Sequence, residues 1–164
     1  MKFSEVIGQE EAKKQLLQLV AEQRVPHAML LCGPLGCGKM ALAVSFASFL
    51  LGEHDSADPL EAEAAKALPE LPADRKRSAE AMLKKLQHPD LIFSYPVIKP
   101  AGTSSDHKMV SDDFSVEWNN MIVGSTYFSI EQWMTAMNAE NQQAQIGVGE
   151  GEALIRKLSM KSSQ

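Results

Sequence analysis

The sequence has little cysteine, no long apolar run and no excess of positive charge. Its two cysteines, Cys32 and Cys37, cannot build a disulfide framework or supply the four ligands of a structural zinc site. No apolar run approaches the roughly 18 residues that cross a bilayer, and the first residues lack the apolar core of a secretion signal, so we expect a cytoplasmic protein without membrane contact. A net charge of −5 argues against a broad basic surface for nucleic acid.

The hydrophobic pattern predicts an α/β fold. Residues 9–23 repeat apolar side chains at helical spacing, and the five apolar residues 28–32 suit a strand that is buried on both faces. Residues 39–51 are apolar nearly all round, as expected of a helix packed against a sheet, with Gly52 as its C-terminal cap. We therefore predict a parallel sheet flanked by helices.

Further helices and one more strand are predicted in the rest of the chain. Asp58, Pro59 and Glu61 have the order of an N-cap, an N1 proline and a capping-box acid, and a second helix should end before Pro89. Residues 90–97 resemble a strand. Later helices carry apolar and aromatic residues on one face, which we interpret as core: Phe114, Trp118, Met121, Ile122, Trp133, Met134 and Met137. Residues 145–148 suit a short strand, and 153–160 a final helix.

The strongest chemical signal is a glycine-rich loop followed by a lysine, between the predicted strand and the helix that begins at residue 39. In such a loop, glycines permit φ > 0 and close approach of phosphate, and lysine supplies a cation to the β and γ phosphates. A simple glycine-rich turn is the alternative. The residues of the predicted phosphate site are Gly33, Pro34, Gly36, Cys37, Gly38, Lys39 and Met40.

Two departures argue against hydrolysis. Met40 stands where the motif has a Ser or Thr hydroxyl for Mg²⁺, and a thioether is a poor ligand for that hard cation. No apolar segment after Gly38 ends in the Asp or Asp-Glu that would position metal and water. We therefore expect weak ATP or ADP binding, weakened Mg²⁺ binding that depends on nucleotide, no zinc, no resident metal ligands and no catalytic residues.

Four segments together resemble the AAA+ clamp-loader subunits of bacterial DNA polymerase III, delta-prime or gamma/tau. The resemblance is close over residues 3–52 and extends to 88–98, and it rests on FSEVIGQ (3–9), VPHA (25–28), GPLGCGK (33–39) and HPD (88–90). It implies that Val6, Ile7 and Gly8 line an adenine pocket. It also implies partnership with other clamp-loader subunits in a pentamer that places a sliding clamp on primed DNA. Met40 fits the delta-prime type, whose loop is degraded.

The resemblance also sets the expected domain organisation. Residues 1–164 are interpreted as the N-terminal part of an AAA+ nucleotide-binding domain, with later strands and the helical collar domain absent. Where the family has a four-cysteine zinc module, a cysteine-free helical insertion is expected at about 53–87, and a further helical insertion at about 111–140. Without the later strands, the strand at 28–32 would have two unpaired edges, so we expect the chain to self-associate.

Three functions compete at this stage. The first is a non-hydrolysing clamp-loader subunit, and the second is an active gamma-type ATPase motor of the same complex. The third is a P-loop kinase for a small molecule, which would need a hydroxyl at position 40 and a basic lid. The missing hydroxyl favours the first function.

Overall fold

The computed structural model describes residues 1–55 and 57–160, so Ser56 and residues 161–164 of the predicted domain lie outside the described part. The described residues form two compact units, one within 1–88 and the other within 89–160. No helix among them is long and apolar enough to cross a membrane. The helices of the described part are α1 (Glu10–Ala21), α2 (Lys39–Leu50), α3 (Pro59–Ala65), α4 (Ala73–Leu83), α5 (Ser115–Gly124), α6 (Ile130–Ala136) and α7 (Val148–Leu158).

The core of the first unit is formed by the first three helices and a 3-10 turn at Phe3–Glu5. α2 is apolar on all sides and buries most of its residues, as its sequence predicts. It ends at Leu50, and Gly52 just beyond the end has φ of +103° and donates its N–H to the Phe49 carbonyl, which confirms the predicted glycine cap. The main apolar cluster consists of Phe3, Leu16, Leu17, Val20, Leu42, Phe46, Phe49 and Ala64.

Two of the predicted helices, α3 and α4, lie between α2 and residue 88. Asp58 caps α3 by accepting hydrogen bonds from the Leu60 and Glu61 N–H groups, and Pro59 occupies the first helical position. The predicted capping box is wrong. The Glu61 carboxylate turns inward, is 1% exposed and accepts from the Asp55 N–H at 2.7 Å.

The predicted parallel sheet is not confirmed in the described residues. Residues 28–32 belong to no ladder, and Met29 and Leu30 are 42% and 86% exposed, so the prediction of a strand buried on both faces is wrong. Of the other predicted strands, 90–97 and 145–148 share one isolated antiparallel bridge between Val97 and Gln145. A strand becomes buried in a sheet only when neighbouring strands pair with it. The described residues of 1–88 contain no strand that pairs with 28–32.

The second unit is organised around a buried aromatic cluster. The Tyr95 ring stacks on Trp118 with centroids 4.0 Å apart, and Trp133 meets both rings edge-on. The Trp133 indole donates a hydrogen bond to the Pro96 carbonyl at 2.7 Å. The prediction that Phe114, Trp118 and Trp133 form core is confirmed by their burial. The predicted box at Ser129 and Gln132 caps α6 with both reciprocal hydrogen bonds.

A buried carboxylate joins α7 to this cluster. Glu150, in the first turn of α7, is 4% exposed and accepts a hydrogen bond from the Ser111 N–H at 2.6 Å. Ser111 in turn exchanges hydrogen bonds with the Tyr95 backbone. Burial acts to raise the pKa of Glu150, but hydrogen bonds from Ser111 and Ser94 and the charge of Lys157 bring it below its ordinary value. This final helix begins at Val148, five residues earlier than predicted.

Candidate nucleotide-binding site

The loop at residues 33–38 has the backbone that a phosphate cradle requires. Gly36 and Gly38 have φ of +76° and +84°, in the left-handed region that side chains disfavour. Gly38 is the residue that precedes the first turn of α2, so the loop delivers the chain directly into a helix N-terminus. The first N–H groups of a helix have no intrahelical acceptor and favour an anion.

At Gly33 the loop needs a glycine because of the space around it, whereas at Gly36 and Gly38 the reason is the positive φ. A Cβ at this position would lie 2.9 Å from the Cys37 Sγ and 4.0 Å from the Lys39 Cδ. The absent side chain therefore leaves room for the two ends of the loop to close on each other. A single methyl group at this position would therefore disturb the loop.

Lys39 holds the loop closed from its C-terminal end. Its Nζ donates to the carbonyls of Gly33 at 2.8 Å and Pro34 at 2.6 Å, and lies 3.7 Å from the Cys37 Sγ. These bonds keep the ammonium group over the loop, at the N-terminus of α2. A fixed cation beside unsatisfied N–H groups is the arrangement that binds phosphate oxygens.

A glutamine joins the loop to the segment predicted to hold adenine. The Gln9 Nε2 donates to the Cys37 carbonyl at 2.8 Å, and Gln9 itself has φ of +60° before the start of α1. The structure thus brings Gln9 to the loop, although it lies 28 positions from Cys37 in the chain. Gln9 was not among the predicted site residues. Its place next to Gly8 at a helix start is the sequence signal that could have indicated it.

The three predicted adenine-pocket residues have different environments. Val6 is buried, and its carbonyl accepts a hydrogen bond from the Lys13 Nζ at 2.8 Å. It lines a cavity of about 300 Å³ that Lys13 and Lys14 also border. Ile7 is 77% exposed, and Gly8, with φ of +65°, is exposed as well; neither lines that cavity.

The residues present fit phosphate better than they fit magnesium. The cradle, the lysine and the helix N-terminus supply donors and positive charge. Met40, which is 36% exposed in the first turn of α2, supplies a thioether where a hydroxyl would bind the cation. Within residues 1–55 and 57–160, no three His, Cys, Asp or Glu side chains are grouped so that they could hold a metal ion.

A family model described as magnesium chelatase, subunit ChlI, matches residues 2–110, which is more than half of the chain. The chain belongs to this family. The match includes the loop, Lys39 and Gln9, and it supports a P-loop NTPase fold of the AAA+ type. Membership of the ChlI family does not establish delta-prime identity, so that part of the expectation stays a prediction.

One curated relative links the chain to replication proteins. The chain is 43% identical over 53 residues to a replication factor C small subunit of Methanosarcina mazei (strain ATCC BAA-159 / DSM 3647 / Goe1 / Go1 / JCM 11833 / OCM 88). The aligned part is 32% of this chain and 15% of the relative. The chain therefore spans a small fraction of the relative's length. No solved structure matches the chain significantly.

Proposed function

We propose that this chain is a nucleotide-binding, non-hydrolysing subunit of a clamp loader, which helps to place a sliding clamp on primed DNA during replication. The observation that carries the proposal is the closed 33–38 loop, held by Lys39 on one side and by Gln9 on the other. The likeness of the chain to a protein named as a replication factor supports replication as the setting. Partners would be the other subunits of the loader, and contact with DNA would come through the assembled complex.

The non-hydrolysing role rests on the first turn of α2. Lys39 can neutralise phosphate charge, but Met40 offers no oxygen to a divalent cation. Phosphoryl transfer depends on metal and on an oriented nucleophile, so a site with only the cradle binds without efficient turnover. This favours a delta-prime-like role over an active gamma-type motor.

A second candidate function follows from the family model. Its description names a magnesium chelatase subunit, and it matches a longer part of the chain than the replication factor does. In that case the chain would belong to a complex that handles magnesium. The Met40 position bears equally on both candidates, so partner identity has to separate them.

Calorimetric titration of ATP, with and without Mg²⁺, tests the nucleotide site. Wild type should bind weakly and with no dependence on Mg²⁺, whereas Met40→Thr should bind more tightly when Mg²⁺ is present, because threonine restores the hydroxyl ligand. Leu35→Thr is the matched control, since Leu35 is 98% exposed in the same loop and should leave both titrations unchanged. Absence of binding by every variant would contradict the proposed site.

The proposed partners need a separate measurement. The chain is mixed with the purified sliding clamp and clamp-loader subunits from its own organism, and in parallel with the chelatase subunits, and complexes are followed by size-exclusion chromatography with light scattering. A complex with clamp-loader subunits supports the proposal. A complex with chelatase subunits alone would overturn it in favour of the second candidate.

A further inference from the structure

The peptide group between Cys37 and Gly38 is held by a residue from outside the glycine-rich loop. The Gln9 Nε2 donates a hydrogen bond to the Cys37 carbonyl at 2.8 Å. On the other side of Gly38, the Leu42 N–H donates to the Gly38 carbonyl at 2.9 Å and closes the first turn of α2. Both peptide groups that flank Gly38 are therefore tied through their carbonyl oxygens, one of them by a glutamine 28 positions away in the chain.

A fixed Cys37 carbonyl also fixes the direction of the Gly38 N–H. A trans peptide group is planar and its C=O and N–H bonds point in opposite directions, so this N–H is turned away from the Gln9 amide. Among the described residues, the Gly38 N–H has no hydrogen-bond acceptor. It lies directly before the first turn of α2, where unpaired N–H groups and the helix dipole favour an anion. An N–H held in this direction is available to a phosphate oxygen.

Without a restraint, the same peptide group could turn over. Gly38 has φ of +84°, and glycine adopts positive and negative φ about equally readily. A rotation that made this φ negative would bring the Cys37 carbonyl to the place that the Gly38 N–H now occupies. The negative end of the C=O dipole would then face a bound phosphate. The hydrogen bond from Gln9 opposes this rotation, because the rotation would break it.

Lys39 cannot replace Gln9 in this role. Its Nζ donates to the carbonyls of Gly33 and Pro34 and contacts the Cys37 Sγ, so its three donors act on other atoms of the loop. Because an ammonium group has only three donors, a phosphate oxygen must displace at least one of these contacts. Gln9 has no such conflict, since its amide lies on the carbonyl side of the peptide group and the phosphate would lie on the N–H side.

The backbone at Gln9 has an unusual conformation for its residue type. Gln9 has φ of +60° and follows Gly8 at +65°, in the left-handed region that costs free energy for residues other than glycine. A glycine at position 9 would avoid this cost but would lack the amide that reaches Cys37. We infer that Gln9 is a positioning residue of the phosphate site and directs the Gly38 N–H toward a phosphate oxygen. This inference rests on the proposed nucleotide-binding function.

Titration calorimetry with ADP and with inorganic tripolyphosphate tests this role. Gln9→Met keeps an uncharged side chain of similar length without a donor, and it should weaken the binding of both ligands about fivefold, as expected for the loss of one hydrogen bond. The factor should be equal for the two ligands, because both carry phosphate and only ADP carries a base. Gln15→Met is the matched control, since Gln15 donates to Glu11 on the exposed surface of α1 and its loss should leave both affinities unchanged.

Gln9→Asn separates the hydrogen bond from the backbone conformation. Asparagine favours the left-handed region, but its amide is one methylene closer to the main chain and should not reach the Cys37 carbonyl, so affinity should fall as in Gln9→Met. In the ligand-free protein, the carbonyl carbon signal of Cys37 in the NMR spectrum should move upfield in both Gln9 variants and stay in place in Gln15→Met. Circular dichroism checks that each variant keeps the helix content of wild type.

The outcomes distinguish this inference from the proposed function. If wild type binds both ligands and Gln9→Met binds tripolyphosphate equally well, or leaves the Cys37 signal in place, the inference is wrong and the proposed function stands. A loss confined to ADP would also overturn the inference, because Gln9 would then act on the base. If wild type binds neither ADP nor tripolyphosphate, the proposed function fails and the inference fails with it.

Discussion

Glu61 offers a prediction about stability and pH. Its carboxylate is 1% exposed on α3, and while Oε2 accepts from the Asp55 N–H, Oε1 has no hydrogen-bond partner among the described residues. Burial raises the pKa of Glu61 above its ordinary value of 4.5, the Asp55 N–H lowers it, and the charges of Asp58 and Asp55 raise it further. We expect Glu61→Gln to remove the cost of burying the charge while keeping an acceptor for Asp55.

The direction in which stability changes with pH follows from the difference in proton binding between the folded and unfolded chain. Because the folded protein holds the Glu61 proton more tightly than the unfolded chain, the stability from this group is fully present below pH 4.5 and is lost as the pH rises through the folded pKa. His54 changes stability in the opposite direction. Its burial, and next the charge of Lys76, lower its pKa from 6.5, so its contribution is present above pH 6.5 and is lost as the pH falls through the folded pKa.

The effect of Glu61 on the free energy of unfolding is limited because this carboxyl binds a single proton. A single group changes the free energy of unfolding by at most about 1.4 kcal/mol per pH unit, and each unit by which burial raises the pKa of Glu61 is worth about 1.4 kcal/mol at high pH. Glu61→Gln should therefore match wild type near pH 4.5 and be more stable at pH 8. The contribution of His54 cancels when wild type and variant are compared at the same pH.

Hydrogen exchange of the α3 amides, followed by mass spectrometry from pH 5 to pH 8, measures this difference, because intrinsic exchange rates cancel in the comparison. Glu63→Gln is the matched control, with the same chemical change on the exposed side of α3, and its difference from wild type should stay flat. If the curves of Glu61→Gln and wild type run parallel across the pH range, the carboxylate is not desolvated in solution and the reasoning fails.

Three further predictions concern single side chains. Gly33→Ala should weaken ATP binding several-fold, and adding Cys37→Ala should recover most of the loss by removing the atom 2.9 Å from the new Cβ; equal losses in calorimetry would contradict this. Ser111→Ala removes both buried bonds to the Tyr95 backbone and should cost about 2–4 kcal/mol in urea unfolding followed by tryptophan fluorescence; a loss near zero would refute it. Asp58→Ala should cost about 1 kcal/mol, seen as faster exchange in α3, whereas Asp58→Asn keeps the cap and should not.

The helices could be predicted because their signals are local. α1 and α2 occupy the predicted segments to within about two residues at each end, since an apolar repeat and a capping residue act within a few positions of one another. The same holds for Ser129 and Gln132, whose reciprocal bonds span a single turn. The capping box predicted at Glu61 does not form, because its carboxylate accepts a hydrogen bond from the Asp55 N–H and the Asp58 N–H donates to the Asp55 carbonyl instead.

The network around Tyr95 could not be predicted in the same way. Ser111 and Glu150 are 16 and 39 positions from their partners, and nothing in either local sequence marks them as buried. An ionised carboxylate is acceptable inside the second unit because Ser111 supplies hydrogen bonds to it. Such a site depends on where the fold brings distant segments together, which a single sequence does not state.

The contrast between the loop at 33–38 and the segment before it shows which part of a P-loop fold a short sequence can specify. The loop is completed by its own residues and by one glutamine: Lys39 closes it through two carbonyls, and Gln9 adds a third bond. Ala28–Cys32 has no comparable local solution, because a strand satisfies its main chain only through another strand. The candidate loop is therefore held together within the described residues, whereas no described residue pairs with the main chain of Ala28–Cys32.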